Sequence, residues 1–210
     1  MTITVARDDL EALVARARAL VRPGRRTILG VVGAPGSGKS TLAEQVVTAL
    51  GADAVLVSMD GFHLAQCELE RLGKTSTKGA IDTFDAGGFL ALVRRLASGD
   101  EDVVYAPEFR REIEEPVAGA VPVFGHVPLI VLEGNYLLVD AGPWGHIGPL
   151  LAESWFLEPA EDVRLDRLIG RHMTFGRDAD AAHHHATGSD QTNAVLIQST
   201  RDAATVVVQG

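Results

Sequence analysis

The sequence has 210 residues, of which 46% are hydrophobic, and it carries a formal net charge of −9. These values suit one compact α/β domain over residues 1–210, and the acidic charge argues against broad binding to nucleic acid or to an anionic membrane. No apolar run approaches the roughly 20 residues that span a bilayer, and Cys67 is the only cysteine, so we expect a cytoplasmic protein with no internal disulfide and no membrane partner.

Hydrophobic periodicity and turn residues predict strands and helices that alternate along most of the chain. The charged, proline-containing stretch 107–123 lacks clear periodicity, and we predict either a hairpin or an excursion over the sheet edge there. Alternation of this kind is typical of α/β proteins with a doubly wound, mostly parallel sheet, here with a small helical lid at about residues 160–186. The predicted elements are, in chain order, helix 8–21, strand 27–32, helix 39–50, strand 54–57, helix 86–97, strand 102–105, strand 129–132, strand 154–157, helix 159–173, helices near 178–185 and 190–203, and strand 205–208.

Residues 33–40 read Gly-Ala-Pro-Gly-Ser-Gly-Lys-Ser and match the G-x-x-x-x-G-K-[ST] pattern of a phosphate-binding loop. The match follows a predicted strand and opens a predicted helix, so a glycine-rich turn with a surface lysine is the weaker alternative. Glycines let backbone N–H groups approach phosphate oxygens, Lys39 adds a positive charge for the β- and γ-phosphates, and Ser40 offers a hydroxyl to Mg²⁺. The sequence therefore predicts ATP and Mg²⁺ as cofactors. The predicted nucleotide contacts in this loop are Gly33, Ala34, Gly36, Ser37, Gly38, Lys39, Ser40 and Thr41.

Two acids follow predicted strands. Asp60 comes after strand 54–57, and Glu133 comes after strand 129–132. In a doubly wound sheet both would face the ligand crevice beyond the carboxyl ends of the strands. We predict that Asp60 orients and deprotonates the accepting hydroxyl and that Glu133 lies near Mg²⁺, in part through water. A helix N-cap or a solvated loop carboxylate is the alternative for each.

Short segments behind the loop occur in a recognisable order. They are 57–63 (Val-Ser-Met-Asp-Gly-Phe-His), 107–109 (Pro-Glu-Phe), 131–134 (Val-Leu-Glu-Gly), the arginine-rich 162–171, and 176–178 (Gly-Arg-Asp). Together with the loop, this set resembles the uridine kinase, pantothenate kinase and phosphoribulokinase branch of the P-loop kinases. The resemblance covers residues 27–178.

The resemblance implies a P-loop fold and ATP-dependent phosphorylation of a hydroxyl on a small metabolite. It implies that Asp60 is the base and Glu133 a magnesium-site acid. It also implies that Arg167 and Arg171 are lid arginines that contact the triphosphate, with Arg171 acting in catalysis. Arg177 would reach the transferred phosphate or the substrate.

The acceptor side of the site is less defined in the sequence. Residues 77–85 do not match the segment that grips ribose in uridine kinases, so the resemblance does not specify uridine. We predict that His63, Tyr105 and Glu108 lie near the substrate, although core packing explains Tyr105 and Phe109 equally well. The expected partner is a small-molecule hydroxyl compound, which leaves a nucleoside, a pantothenate-like compound or a sugar as alternatives.

Other polar clusters have simpler interpretations. Arg164, Arg167 and Arg171 share one face of a predicted helix, which is usually a solvated face. The charged run 110–115 could hold a substrate carboxylate or phosphate, but a solvated excursion is favoured. The histidines at 183–185 point in different directions on a helix and are predicted to be exposed. Cys67 is predicted to be a buried or half-buried thiol rather than a nucleophile.

Three other classes of function compete with a metabolite kinase. A GTPase would carry a guanine-reading Asn-Lys-x-Asp motif, and an ABC-type ATPase would carry Leu-Ser-Gly-Gly; the sequence has neither. A catalytically weak ATP-binding regulatory protein stays open as the alternative, although Lys39, Ser40, Asp60 and Glu133 are all present. The sequence does not define the oligomeric state, and a homodimer is one option.

Overall fold

A parallel sheet of six strands forms the centre of the computed structural model, which describes residues 2–22, 24–174, 176 and 178–210. The strands follow the order β1-β8-β7-β2-β6-β3, and every neighbouring pair is parallel. The strands of this sheet are β1 (Ile3–Ala6), β2 (Thr27–Gly33), β3 (Ala54–Ser58), β6 (Leu129–Gly134), β7 (Glu153–Glu158) and β8 (Val206–Gln209). The antiparallel hairpin that stands apart from it consists of β4 (Val103–Arg110) and β5 (Glu115–Phe124).

Helices cover both faces of the sheet, which explains why β2 and β6 are buried at every residue. Alternate side chains of β2 point to opposite faces: Ile28 joins one core cluster, and Leu29 joins the other. Aspartate side chains cap the starts of several helices; for example, the Asp85 carboxylate accepts a 2.8 Å hydrogen bond from the Gly88 N–H. The helices are α1 (Leu10–Arg18), α2 (Lys39–Leu50), α3 (Gln66–Leu72), α4 (Ala86–Ser98), α5 (Glu161–Thr174), α6 (Ala179–Thr187) and α7 (Ser189–Gln198).

The predicted doubly wound, mostly parallel sheet is confirmed, and the differences lie at its margins. Strand β1 and helix α3 were not predicted, because one is a four-residue edge strand and the other spans only two turns. Stretch 107–123 belongs to the hairpin, and β4 continues to Arg110 rather than ending at Tyr105. Among the described residues, no helix is long and apolar enough to cross a membrane.

The hairpin packs against the turn that follows β3, and this contact places it beside the carboxyl edge of the sheet. A Cβ atom at Gly61 would lie 2.4 Å from the carbonyl oxygen of Pro107, so only glycine permits this approach. The hairpin and the segment after β3 therefore form one wall of the cleft above the sheet.

Candidate active site

The phosphate-binding loop connects β2 to α2, as its sequence predicts. Gly36 has a φ of +84°, and a Cβ there would lie 2.5 Å from the carbonyl oxygen of Arg164 on α5. Glycine is therefore required both by the backbone conformation and by the close approach of α5. Lys39 is the first residue of α2, so its backbone lies at the positive end of the helix dipole. Within the described residues, the buried Ser37 hydroxyl has no hydrogen-bond partner.

Lys39 and Glu133 form a buried ion pair at the centre of the site. The Lys39 Nζ lies 3.5 Å from Glu133 Oε1, and their side chains are 9% and 4% exposed. Strands β2 and β3 flank β6, and Ser58 of β3 pairs with Glu133 in the sheet register. The Ser58 hydroxyl donates a 2.9 Å hydrogen bond to Glu133 Oε2. Burial raises the pKa of Glu133, and the Lys39 charge opposes this shift.

Oxygen ligands for a divalent cation converge here. A hydrogen bond from the Ser40 side chain also lowers the pKa of Glu133, which places the Ser40 hydroxyl beside this carboxylate. A hydroxyl and a carboxylate are the hard oxygen donors that Mg²⁺ prefers. The two predicted metal residues, 93 positions apart in the chain, are thus brought together by the neighbouring positions of α2 and β6.

Asp60 lies one short turn beyond β3, on the 3₁₀ turn Met59–Phe62. Its backbone N–H donates a 3.2 Å hydrogen bond to the same Ser58 hydroxyl that binds Glu133. Its carboxylate Oδ2 lies 3.3 Å from Nη2 of Arg111, and the side chain is 26% exposed. The predicted base is therefore accessible from the cleft and close to the buried ion pair.

A cleft of about 930 Å³ opens above these residues. The phosphate loop and Lys39 line one end, the segment after β3 lines the side, and the hairpin and α5 complete it. This is the position beyond the carboxyl ends of the strands where doubly wound sheets bind ligands. Its polar and aromatic lining includes Lys39, Asp60, His63, Lys78, Phe109, Arg111, Asn135, Arg171 and Asp190.

His63 lies between two aromatic rings in this cleft. Its ring centroid is 4.1 Å from that of Phe84 and 4.8 Å from that of Phe109. Burial lowers the pKa of His63, although the neighbouring Asp60 opposes the shift. Its Nδ1 lies 2.8 Å from the Asp60 carbonyl oxygen, which can only accept, so Nδ1 is the donor. In the neutral ring, Nε2 is then left as an acceptor.

Comparison with known proteins identifies the family. A Schizosaccharomyces pombe protein named provisionally as a uridine kinase is 31% identical over 96% of this chain and 91% of the relative. The chain belongs to the uridine kinase, pantothenate kinase and phosphoribulokinase branch of the P-loop kinases. An ATP-dependent kinase-like protein of Aspergillus versicolor is 35% identical over 72% of this chain and 94% of the relative. No family model matches the sequence.

A solved structure supports the same assignment for this P-loop kinase-family chain. The crystal structure of a protein from Silicibacter sp. TM1040, described provisionally as a fructose transport system kinase, is 36% identical to it. The two superpose with a TM-score of 0.86 over 94% of this chain and 98% of that one. The relatives carry different substrate names, so the family is defined and the acceptor is not.

The three arginines of α5 occupy different environments, although their spacing places them on one face of the helix. Arg164 is buried: its Nη1 donates a 3.1 Å hydrogen bond to the Pro35 carbonyl oxygen, and its other nitrogens bind Glu161 at 2.7 Å. Arg167 is exposed, and its Nη1 lies 3.5 Å from where a Cβ at Gly38 would be. Arg171 lines the cleft. Arg164 thus attaches α5 to the phosphate loop.

Replacing Arg164 should loosen this attachment. Arg164→Met removes the donor to Pro35 and leaves that carbonyl without its partner, which costs about 1–3 kcal/mol for a buried polar group. We expect the free energy of unfolding in urea to fall by about that amount. The matched control is Arg167→Met on the same helix, where an exposed substitution should change stability by less than about 0.5 kcal/mol. Equal losses in the two variants would contradict the anchoring role of Arg164.

Several predicted site residues lie elsewhere. Tyr105 is 57% exposed, and neither it nor Glu108 lines the cleft; Glu108 pairs with Arg110 on the hairpin at 3.3 Å. Side chains alternate along a strand, so Phe109 reaches the cleft where its neighbour Glu108 does not. Thr41, by contrast, lies in the first turn of α2 directly after the phosphate loop, and its nucleotide contact stays a prediction. Arg177 lies outside the described residues.

Of three interpretations of polar residues, two hold only in part and the burial predicted for Cys67 was wrong. The run 110–115 is not simply solvated, because Arg111 reaches Asp60 and the Glu115 carboxylate accepts a 2.9 Å hydrogen bond from the Gln66 N–H. In 183–185, His185 is half-buried and lies with His172 and Asp190 in a group whose ligand atoms are within 4.8 Å of one another. Cys67 is exposed, since it lies on the outer face of α3.

Sequence reasoning missed Asn135 and Asp190, which line the cleft. It did not single out Lys78 within residues 77–85, and it gave a site role for Arg111 only as the less favoured alternative. Asn135 had a usable signal, because it directly follows Glu133-Gly134 at the end of β6. Its Oδ1 is buried without a hydrogen-bond partner in the described part of the chain. Lys78 and Arg111 lie on irregular segments, where no periodicity of the sequence indicates in which direction a side chain points.

Proposed function

We propose that this protein transfers the γ-phosphoryl group of ATP to a hydroxyl group of a small metabolite. The observation that carries the proposal is the convergence of a complete phosphate-binding loop, the Lys39–Glu133 pair and the accessible Asp60 carboxylate at one cleft. The names of the relatives, several of which are kinases, support the same class of reaction.

The loop and its lysine form the donor half of the site. Backbone N–H groups from residues 33–40 would bind the phosphate oxygens, and Lys39 would neutralise charge on the β- and γ-phosphates. Ser40 and Glu133 would hold a Mg²⁺ ion, which would offset the negative charge of the phosphates. Arg171, which lines the same cleft, would stabilise charge on the group in transfer.

Asp60 belongs to the part of the site that would bind and activate the phosphoryl acceptor. In the proposed step its carboxylate takes the proton of the acceptor hydroxyl while the oxygen attacks the γ-phosphorus. The bond from that phosphorus to the β,γ-bridging oxygen breaks, and ADP leaves. Proton transfer by a positioned carboxylate requires hydrogen-bond reach to the hydroxyl, and the exposure of the Asp60 carboxylate at the cleft supports this role.

The direct test is ADP release in a coupled assay. The purified protein with ATP and Mg²⁺ should release ADP faster when supplied with its acceptor than with buffer alone, across a panel of nucleosides, pantothenate-like compounds, sugars and hydroxy acids. Phosphate should appear on the acceptor in equal amount by mass spectrometry. If no hydroxyl compound raises ADP release above the intrinsic hydrolysis, the kinase proposal fails, and tight ATP binding alone would then indicate a regulatory ATP-binding protein.

A further inference from the structure

Two cations flank the same aromatic ring in the acceptor part of the cleft. Lys78 Nζ lies 5.2 Å from the Phe109 ring centroid, and Arg111 Cζ lies 5.4 Å from it. Both side chains line the cleft, together with His63, whose ring centroid lies 4.8 Å from that of Phe109. A cation over an aromatic face is held in place without using its hydrogen-bond donors. The two cations are therefore positioned with donors left for a ligand.

The hydrogen bonds that Lys78 and Arg111 make within the protein use only some of their N–H donors. Arg111 has five N–H donors, and one bond joins it to Asp60. Lys78 donates a 2.6 Å hydrogen bond to the carbonyl oxygen of Glu114, whose carboxylate is 55% exposed and 3.6 Å away. Lys78 itself is only 19% exposed. A half-buried ammonium held mainly by a neutral carbonyl can gain from an anionic ligand.

A third cation faces this group across the cleft. Arg171 of α5 is half-buried, and after burial the positive charge of Arg111 has the largest effect in lowering its pKa. Asp190, Asp60 and Glu133 oppose that effect. Two guanidinium groups that line the same cleft repel each other, and an anion bound between them would offset that repulsion. The acceptor end of the cleft therefore has the charge pattern of an anion site.

We propose that the phosphoryl acceptor carries an anionic group, a carboxylate or a phosphate, which Lys78 and Arg111 bind beside the ring of Phe109. This inference rests on the proposed kinase function and names its substrate class. The anion would also replace Asp60 as the partner of Arg111. The Asp60 oxygen that Arg111 now holds would then be released to accept the hydroxyl proton, so a neutral acceptor would leave the base engaged.

Matched acceptors provide the test. ADP release is measured with two series that each pair a neutral compound with a related carboxylate and phosphate: glycerol, glycerate and glycerol 3-phosphate, and ribose, ribonate and ribose 5-phosphate, alongside the wider panel. The inference expects the active acceptors to be anionic, and the carboxylate and phosphate members distinguish the two sources of charge. If the active acceptors are neutral, this inference is overturned and the kinase function stands. If none is active in either class, the kinase function is overturned together with it.

Variants locate the anion site. Arg111→Gln and Lys78→Gln should each raise KM for the anionic acceptor by about 10-fold or more, the loss expected for one hydrogen bond to a charged group. KM for ATP should change by less than about 2-fold. Arg110→Gln is the control, because Arg110 is exposed and pairs with Glu108 on the hairpin. If KM for ATP rises while KM for the acceptor is unchanged, the cations serve the triphosphate and the inference is wrong. Circular dichroism verifies that the variants fold.

Discussion

Asp60→Asn should lower kcat by about 10³-fold, within the range that general bases contribute. An amide has nearly the shape of the carboxylate but cannot take the acceptor proton. The asparagine side chain can still accept a hydrogen bond from Arg111, so the substitution removes the base with little disturbance of the cleft. The dissociation constant for ATP, measured by isothermal titration calorimetry, should stay within about 3-fold of the original, because Asp60 is not part of the loop.

The matched control for this variant is Asp82→Asn. Asp82 is an exposed carboxylate that pairs with Lys74 at 2.6 Å and does not line the cleft. Its variant should keep kcat within about 2-fold. Two outcomes would contradict the assignment: full activity in Asp60→Asn would require another base, and loss of ATP binding would show that Asp60 acts on the metal or the fold.

The sequence predicts the residues of this site that stand at the ends of regular strands, because strands produce recognisable local patterns. Buried strands appear as apolar runs, so the ends of β2, β3 and β6 can be located, and parallel strands bring those ends to one edge. The loop, Asp60 and Glu133 all stand at such ends. Their convergence follows from topology, which explains why residues far apart in the chain could be grouped without a structure.

The acceptor side depends on contacts that no local pattern encodes. Arg111 reaches Asp60 because the hairpin packs on the turn after β3, a contact between segments 51 residues apart. Arg164 is buried because α5 meets the loop, whereas its charge and spacing are those of a solvated face. In both cases tertiary packing overrides the usual meaning of a charged sequence.

Lys39→Met should reduce both activity and stability, and these two effects have separate causes. Activity should fall at least 100-fold, because a charge that stabilises the transferred phosphate is lost. Stability without nucleotide should fall by about 3 kcal/mol, since removing one member of a buried ion pair leaves the other charge uncompensated. Urea unfolding monitored by the fluorescence of the buried Trp144 and Trp155 measures the second effect.

The pH dependence of the stability of Lys39→Met should show that the uncompensated charge is the Glu133 carboxylate. Burial already raises the pKa of Glu133, and loss of the Lys39 charge removes an influence that lowers it. A carboxyl whose pKa is raised in the folded state destabilises the fold when it is ionised. The stability lost in Lys39→Met should therefore be smallest at acidic pH, where Glu133 holds its proton, and should grow as the pH rises through its raised pKa.

The double variant Lys39→Met/Glu133→Gln should distinguish the stability lost through an unpaired charge from the stability lost through altered packing. With both charges removed, most of the lost stability should return, because no ion remains buried without a partner. Activity should not return, since the phosphate charge and the metal ligand are both missing. A double variant as unstable as Lys39→Met alone would mean that the lysine stabilises the loop through packing. Recovery of the fold without recovery of turnover would show that the fold does not require this buried pair and that the pair serves phosphate and metal chemistry.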